Sequence, residues 1–353
     1  MDDARFDRLA AMALRPPRRA ADARLPGAPD SAVRDRYRGA LLAGAAGDAL
    51  GRPMEGRTNR TGRRVTEFER WRGWAGGPTG TITDDTQLTM AVAECLLAHG
   101  AVDPDDLARR LVAWLPEGRG KGQATVEAVT RLSDGTPWWE AGAASDGNGA
   151  AMRVAPIGLA FPHDHGRLRD EAALSAVVTH SSPMAVAGAV VQALAVALAV
   201  RAPSGLLDPD AFVAALVAGT ADLHDPGAPE RRPEADGTPV RLVDRIAEVP
   251  SLLHLPPDEA FDRLYNGAFV LESLPSALWC FLRSPDDVEQ VLVTAASGGH
   301  DADTVAAMAG NLAGAHVGVS GIPARWLGDL EFADELTAMA DGLADLAGVL
   351  PEA

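Results

Sequence analysis

The sequence predicts an all-α protein that folds as a compact multi-helix single domain. Apolar residues recur at helical spacing in successive segments, such as 86–100 and 104–115. Pro104 is followed by two acidic residues, a pattern typical of the first turn of a helix. We find no run of alternating apolar and polar residues long enough to predict a strand. The apolar content of 47% is sufficient for a sizeable core.

The chain divides into an N-terminal extension and one domain. Residues 1–30 are rich in Arg, Ala and Pro, and we expect a loosely ordered, partly helical extension. Residues 31–353 form the predicted domain, whose first helix begins near Ser31. Residues 56–80 are rich in turn-forming residues and predict a surface loop. Residues 224–241 are rich in Pro, Gly and charged residues and show no periodic pattern of apolar residues. We predict a surface loop there rather than a domain boundary.

The longest apolar run predicts a buried central helix. It spans residues 184–200, which is short for a membrane span, and Gln192 interrupts it, so we expect no membrane partner. The N-terminus lacks the apolar core of a signal peptide. Cys95 and Cys280 are the two cysteines, each in an apolar helical run, so we expect neither a disulfide framework nor a zinc site. These features predict a cytoplasmic protein.

The charge of the chain is strongly acidic. The formal net charge is −17 and the pI is about 4.8. Binding to nucleic acid by phosphate neutralisation needs a basic face, so we do not expect a nucleic-acid partner. The same excess of carboxylates leaves many groups that can bind cations.

Small residues recur at helical spacing in two segments. One series is Gly39, Ala43, Gly47 and Gly51, and the other is Gly310, Gly314 and Gly318. Glycine destabilises a helix by roughly 0.5–1 kcal/mol relative to alanine. Its repetition on one face predicts that two helix backbones approach each other closely.

Two distant helices each begin with a compact group of Asp and Thr oxygens. The first group is TDDT at 83–86 and the second is DADT at 301–304, with Asp48 and Glu55 as a further acidic element. Carboxylate and hydroxyl oxygens suit Mg²⁺, Mn²⁺ or Ca²⁺, and two such groups can hold two ions. Asp and Thr are also ordinary helix caps, so neither group alone is specific for metal.

Six segments in a fixed order resemble one known family. They are RGALLAGAAGDALGRPME (38–55), PTGTITDDTQLTMAVAECLL (78–97), GNGAAMRVAPIGL (147–159), THSSP (179–183), GAFVLESLPSALWCFL (267–282) and GGHDADTVAAMAGNLAGAHVG (298–318). Together they resemble the ADP-ribosylglycohydrolases. The resemblance implies an all-α fold with a cleft that holds two Mg²⁺ ions, with Mn²⁺ as an alternative. The implied metal ligands are Thr83, Asp84, Asp85, Asp301, Asp303 and Thr304.

The resemblance also implies a reaction. An ADP-ribosylated protein or small molecule would be the substrate, and hydrolysis of its glycosidic bond would release ADP-ribose. The candidates for the acid/base role are Asp85, Asp303 and Glu55, and the sequence does not choose among them. Glu55 could equally be a solvated loop residue.

Further residues match the substrate-binding positions of the family. A glycine-rich turn lets the backbone approach a phosphate, and it contains Gly147, Asn148, Gly149, Ala150 and Met152. The resemblance adds His180, which would face the nucleotide or the distal ribose, and Phe269, which would stack on the ligand or belong to the core. Arg153 is open to two interpretations, a phosphate clamp or a buried structural arginine.

His300 departs from the pattern of the family. It stands where most relatives have a glycine directly before the first aspartate of the second cluster. A side chain at this place could crowd the ribose, add a hydrogen bond or alter the preferred linkage.

Two other functions compete with glycoside hydrolysis. One is a non-catalytic ADP-ribose-binding or structural protein, which is disfavoured because all four cluster aspartates are present. The other is a metal-dependent nucleotide phosphohydrolase, since acidic two-metal sites also perform phosphoryl chemistry.

Overall fold

The computed structural model of the protein describes residues 4–16, 30–58, 62–70, 77–230 and 236–348. The all-α prediction is confirmed. In these residues the regular β structure is one antiparallel pair of two-residue strands, β1 (Ala228–Pro229) and β2 (Pro239–Val240). The remaining regular structure is helical.

The α-helices follow one another with short connections. In the first half of the chain they are α1 (Ala4–Ala11), α2 (Asp30–Gly51), α3 (Asp84–His99), α4 (Pro104–Trp114), α5 (Gln123–Ser133), α6 (Trp138–Ala141), α7 (Ala155–Ala160), α8 (His165–Val177) and α9 (Pro183–Arg201). In the second half they are α10 (Pro209–Thr220), α11 (Leu242–Ala247), α12 (Val249–Leu252), α13 (Pro257–Leu264), α14 (Val270–Arg283), α15 (Val288–Ala296), α16 (Ala302–Val317), α17 (Ala324–Leu327) and α18 (Ala333–Leu346). Three 3₁₀ turns span Arg52–Met54, Asn148–Ala150 and Val319–Gly321.

Helices α2 and α16 form the most closely packed pair in the fold. A Cβ atom built on Gly39 would lie 2.5 Å from the carbonyl oxygen of Gly314, and one on Gly47 would lie 2.1 Å from that of Ala306. Neither distance leaves room for a side chain, so the predicted close approach is confirmed. The contacts descend along α16 as they ascend along α2, which makes the helices antiparallel. The end of α2 therefore meets the start of α16.

Helix α9 is the apolar helix predicted from residues 184–200. It is long and apolar enough to cross a membrane, but 89% of its most apolar stretch is buried inside the protein. Its one polar interruption, Gln192, is fully buried and donates to the carbonyl oxygen of Met308 in α16. This helix belongs to the core, as expected.

The described part of the N-terminal extension is more firmly packed than the sequence suggested. Helix α1 lies against α8, Leu9 is fully buried, and Arg15 pairs with Asp170 at 3.2 Å. The physical reason is that α1 is amphipathic and its apolar side meets the core. Residues 17–29 lie outside the described part of the chain.

The loop predicted at 224–241 contains the hairpin of β1 and β2 and is largely exposed or half-buried where it is described. Its residues 231–235 lie outside the described part. The two-residue strands are too short to show an alternating pattern, so the sequence did not reveal them.

Candidate metal centre and cleft

Three carboxylates meet where the end of α2 faces the start of α16. Glu55 follows the 3₁₀ turn after α2, and Asp301 and Asp303 stand at the first turn of α16. One carboxylate oxygen from each lies within 4.8 Å of those of the other two. The segment after Glu55 is fixed to the loop before α16, since the Gly56 amide donates to the His300 carbonyl at 2.7 Å.

Asp48 brings the start of α3 to the same place. This fully buried α2 residue accepts hydrogen bonds from the amide and hydroxyl of Thr83 and from the amide and hydroxyl of Thr86, at 2.6–3.1 Å. The first amides of a helix lack partners within the helix, so Asp48 acts as a cap supplied by another helix. The sequence showed Asp48 as an acidic residue near the site, but it did not show this role.

Asp85, in the first acidic cluster, contacts the second. Its Oδ2 accepts from the Thr83 hydroxyl at 3.2 Å and from the Thr304 hydroxyl at 3.4 Å, although Thr304 is 219 positions further along the chain. Its Oδ1 is buried and has no hydrogen-bond partner. The predicted convergence of the two helix starts is therefore present in the structure.

The electrostatics of this cluster are unfavourable without a cation. Burial, followed by repulsion from neighbouring aspartates, raises the pKa of Asp84 and Asp85 well above their ordinary range. Burial and the charge of Asp301 raise the pKa of Asp303 to about 7, and burial raises the pKa of Asp301 as well. Buried carboxylates without cationic partners are costly. An all-oxygen donor set with an orphaned buried oxygen on Asp85 fits a hard divalent cation.

Arg52 is the cation that the chain itself places beside the cluster. Its Nη1 contacts the carboxylate of Glu55 and lies 3.5 Å from Oδ2 of Asp303. One guanidinium cannot balance the six carboxyl groups gathered here, so the cluster has an excess of negative charge whenever they are ionised.

The cluster forms one wall of a cleft of about 370 Å³. Eleven of the predicted site residues line it: Glu55, Asp84, Asp85, Gly147, Asn148, Gly149, Met152, His180, Asp301, Asp303 and Thr304. The remaining lining residues are Gly120, Gly122, Gln123, Ala124, Thr125, Ser145 and Ala268. The cleft thus joins the acidic cluster to the glycine-rich turn.

The glycine-rich turn is held from behind by the segment before α14. The Asn148 amide donates to the Ala268 carbonyl at 3.0 Å, and Gly147 pairs with Phe269 in an isolated antiparallel bridge. The Asn148 side chain donates to Ser273 at 3.1 Å and also to Asp301. This second bond connects the turn directly to the acidic cluster.

His180 lines the cleft beside that turn, next to Gly149. It is 2% exposed, and burial together with the nearby charge of Arg153 lowers its pKa to about 3. Arg153 is fully buried and is not among the described residues that line the cleft. The structure therefore favours the interpretation of Arg153 as a buried structural residue over a phosphate clamp.

Three predicted site residues are buried away from the cleft surface. Phe269 is 2% exposed and packs in the core, so its ring is not placed to stack on a ligand. Ala150 is also buried in the core. Thr83 is buried behind the cluster, where its hydroxyl contacts Asp48 and Asp85. The sequence could not distinguish these positions because the family match runs through surface and core alike.

His300 also lies away from the lining. Its φ is 55°, in the left-handed region that favours glycine, and its ring stands 5.3 Å from the ring of Tyr265. The backbone therefore keeps the glycine-like conformation expected at this position, while the half-buried side chain turns to a neighbouring aromatic residue.

The segment 118–125 contributes most of the cleft residues that the sequence did not reveal. The Gly122 amide donates to Oδ2 of Asp84 at 3.3 Å, and Thr125 lies in the first turn of α5. Its spacing, GRGKGQAT, is a glycine-rich run before a helix, which is a recognised signal for a ligand loop. That signal could have identified the segment.

The fold and the cleft define an all-α protein with an acidic, oxygen-lined centre of the kind that holds divalent cations. Over residues 29–352 the sequence matches the family described as ADP-ribosylglycohydrolase, and the chain belongs to this family.

Similar proteins agree with this assignment. The chain is 32% identical to ADP-ribosylhydrolase ARH3 of Gallus gallus, a match that covers 88% of this chain and 93% of the relative. It is 28% identical to the ADP-ribosyl-[dinitrogen reductase] glycohydrolase of Rhodospirillum rubrum, with 90% and 98% covered. A solved structure described as an ADP-ribosylglycohydrolase-related protein complex superimposes with a TM-score of 0.72 at 32% identity, covering 90% of this chain and 99% of that chain.

Proposed function

We propose that the protein hydrolyses the glycosidic bond between ADP-ribose and an acceptor, and so reverses ADP-ribosylation. The observation that supports this most is the meeting of two distant acidic helix starts with a glycine-rich turn in one cleft. The relatives named as ADP-ribosylhydrolases and as a glycohydrolase of dinitrogen reductase support the same reaction class. An ADP-ribosylated protein or small molecule is the substrate, and ADP-ribose is the product.

We assign the metal-binding role to both acidic clusters. Thr83, Asp84 and Asp85 on one side, and Asp301, Asp303 and Thr304 on the other, would hold two Mg²⁺ ions, with Mn²⁺ as an alternative. Bound there, the ions would supply Lewis acidity and orient the ribose and a water molecule. The family and the acidic cluster support a metal in general, and the identity and number of the ions are our proposal.

The residues of the chain divide the remaining work. Hydrolysis at an anomeric carbon passes through an oxocarbenium-like transition state, which a nearby carboxylate stabilises. An acid donates a proton to the departing acceptor, and a water molecule that has lost a proton to a base adds to the anomeric carbon. Asp303 lines the cleft at the place where the two acidic clusters meet, so its carboxyl group is a candidate for this proton transfer. Glu55 and Asp85 line the same wall and stay as alternatives.

The opposite wall is suited to bind the ADP-ribosyl group. Gly147 and Gly149 leave the backbone of the turn accessible, and Asn148 fixes the turn to Asp301. Met152 and His180 complete this side of the cleft. We also propose a cytoplasmic location, which the two buried free thiols of Cys95 and Cys280 support.

The test is a panel of ADP-ribosylated arginine, serine and nucleotide substrates, each assayed with Mg²⁺ and with chelator. We expect release of intact ADP-ribose from at least one substrate, with activity lost on chelation and in Asp303→Ala. The matched control is Asp287→Ala, which removes an ordinary helix-cap aspartate at the exposed start of α15 and should stay active.

The products separate the competing functions. Release of AMP or inorganic phosphate would identify a phosphohydrolase instead. Tight binding of ADP-ribose without turnover of any substrate would identify a non-catalytic binding protein. Activity that survives both the chelator and Asp303→Ala would refute the proposed centre.

A further inference from the structure

A buried arginine without a carboxylate partner stands behind the cleft. Arg153 is fully buried. Its Nη2 donates to the Ser175 carbonyl and to Oγ1 of Thr179, each at 2.8 Å. Its Nε and Nη1 have no hydrogen-bond partner, and none of the ion pairs in the described part of the chain includes it. A buried charge of this kind is costly, which calls for a reason beyond packing.

The contacts of Arg153 determine the direction of the next hydrogen bond. A guanidinium can only donate, so the Thr179 oxygen accepts from it. The Thr179 oxygen also lies 2.9 Å from Nδ1 of His180, and among the described residues this nitrogen is the one acceptor available to the Thr179 proton. If Nδ1 held a proton instead, the buried hydroxyl would be left without an acceptor, which is unfavourable.

The direction of that bond settles which nitrogen of His180 holds the ring proton. A neutral imidazole carries one N–H, and an accepting Nδ1 leaves the proton on Nε2. Burial and the charge of Arg153 keep the ring neutral, since together they lower its pKa to about 3. Arg153 therefore affects His180 both through Thr179 and through its charge.

The Nε2 edge of His180 is the edge near the cleft. A Cβ atom built on Gly149 would lie 2.8 Å from Cε1 and 3.2 Å from Nε2 of His180, so glycine at this position keeps the ring edge uncovered. Nε2 has no hydrogen-bond partner among the described residues, and His180 lines the cleft. An N–H without a protein partner that faces a ligand cleft is available to a ligand oxygen.

We propose that Arg153 and Thr179 are positioning residues, which hold His180 as a neutral imidazole that donates from Nε2 to an acceptor oxygen of the ligand. That oxygen belongs to a phosphate or to a ribose hydroxyl, and its assignment to ADP-ribose rests on the proposed function. This relay of hydrogen bonds from Arg153 through Thr179 to His180 fixes a donor in the cleft beside Gly149. A ligand group that can only donate a hydrogen bond is therefore disfavoured next to Nε2.

The first experiment reads the tautomer directly, without substrate. Protein labelled with ¹⁵N-histidine is studied by long-range ¹H–¹⁵N correlation spectroscopy, and the His180 signals are assigned by their absence in His180→Gln. We expect an unprotonated, accepting Nδ1 and a protonated Nε2. A proton on Nδ1, an even mixture of tautomers or an imidazolium would overturn the inference, and this result needs no variant of the relay itself.

The second experiment tests the relay by variants and ADP-ribose binding. Thr179→Val removes the hydroxyl and should produce a mixture of His180 tautomers. It should also weaken ADP-ribose binding, measured by calorimetry, by roughly tenfold. Thr179→Ser keeps the hydroxyl and should show the tautomer and the affinity of the wild type. The matched control is Ser175→Ala in α8, which removes a buried hydroxyl that has no hydrogen-bond partner. Loss of binding without a change of tautomer in Thr179→Val would contradict the relay.

The two readouts separate this inference from the proposed function. A protonated Nε2 in a protein that does not bind ADP-ribose would support the relay and remove ADP-ribose as its ligand. A proton on Nδ1 in a protein that binds and hydrolyses would remove the relay and leave the proposed function intact.

Discussion

Removal of divalent cations should destabilise the protein near neutral pH and should have little effect in acid. The reason lies in the buried carboxylates of the cleft, of which Asp303 is the clearest case. Burial and the charge of Asp301 raise the pKa of Asp303 from its ordinary value of 3.8 to about 7 in the folded protein. The folded state therefore binds this proton more tightly than the unfolded state. Its contribution to stability is complete below about pH 4 and is lost as the pH rises towards 7.

The size of the effect follows from the same shift. A difference of about 3 pKa units corresponds to about 4 kcal/mol of free energy of unfolding for this one group. The entropy of unfolding of a chain of 353 residues is about 0.7 kcal/mol/K, so the melting temperature should fall by about 6 °C. A bound divalent cation stabilises the ionised form and should reverse the loss.

The assay is calorimetric or fluorescence-detected melting of the wild type and of Asp303→Asn, with chelator and with Mg²⁺, at about pH 4 and about pH 7.5. The variant cannot ionise at this position, so the chelated variant should melt above the chelated wild type at the higher pH and at the same temperature in acid. Mg²⁺ should raise the melting temperature of the wild type more than that of the variant. Identical pH profiles of the two chelated proteins would refute the reasoning.

Three further outcomes are expected. Gly314→Ala places a methyl group 2.0 Å from a backbone oxygen of the facing helix and should destabilise the protein by about 1–3 kcal/mol or more in denaturant melts. Gly328→Ala, whose Cβ would meet nothing closer than 3.7 Å, is the control, and equal costs for both would contradict close packing. Arg52→Ala removes a cation beside the cluster, so Mg²⁺ should bind roughly fivefold more tightly, as measured by calorimetry. Weaker binding in the variant would show that Arg52 helps to hold the ion instead. Asp48→Ala leaves the amide of Thr83 and the amide and hydroxyl of Thr86 without their acceptor, and should lower stability by at least about 1–2 kcal/mol. An unchanged melt would exclude the capping role.

Much of the fold could be predicted because its signals are local. The helical periodicity of α3 and α4 and the unbroken apolar run of α9 can be read within one segment. The glycine stripes even predicted which helices approach closely, since no other residue allows backbones within such distances. The packing of α1 was underestimated because its contact with α8 is a tertiary one.

The meeting of the acidic clusters could be predicted from the sequence, and the residues that hold them in place could be predicted less well. The acidic clusters stand out because two like-charged residues side by side are unusual at a buried helix start. Asp48 looked like one more acidic residue, because its role depends on α3, which lies next to it only in the folded protein. The motif left Phe269 open between a contact with the ligand and a place in the core, and only the packing shows that its ring lies in the core.

The antiparallel contact between α2 and α16 has a consequence for the order of events during synthesis. Asp85 and its neighbour Thr304 are 219 positions apart, so a growing chain possesses half of the ligands long before it has the other half. A fragment that ends before α16 has no partner for the carboxylates of α3 and cannot enclose an ion. Capture of an ion at the proposed centre would therefore be a late event, and tight divalent-ion binding would report that α16 has docked.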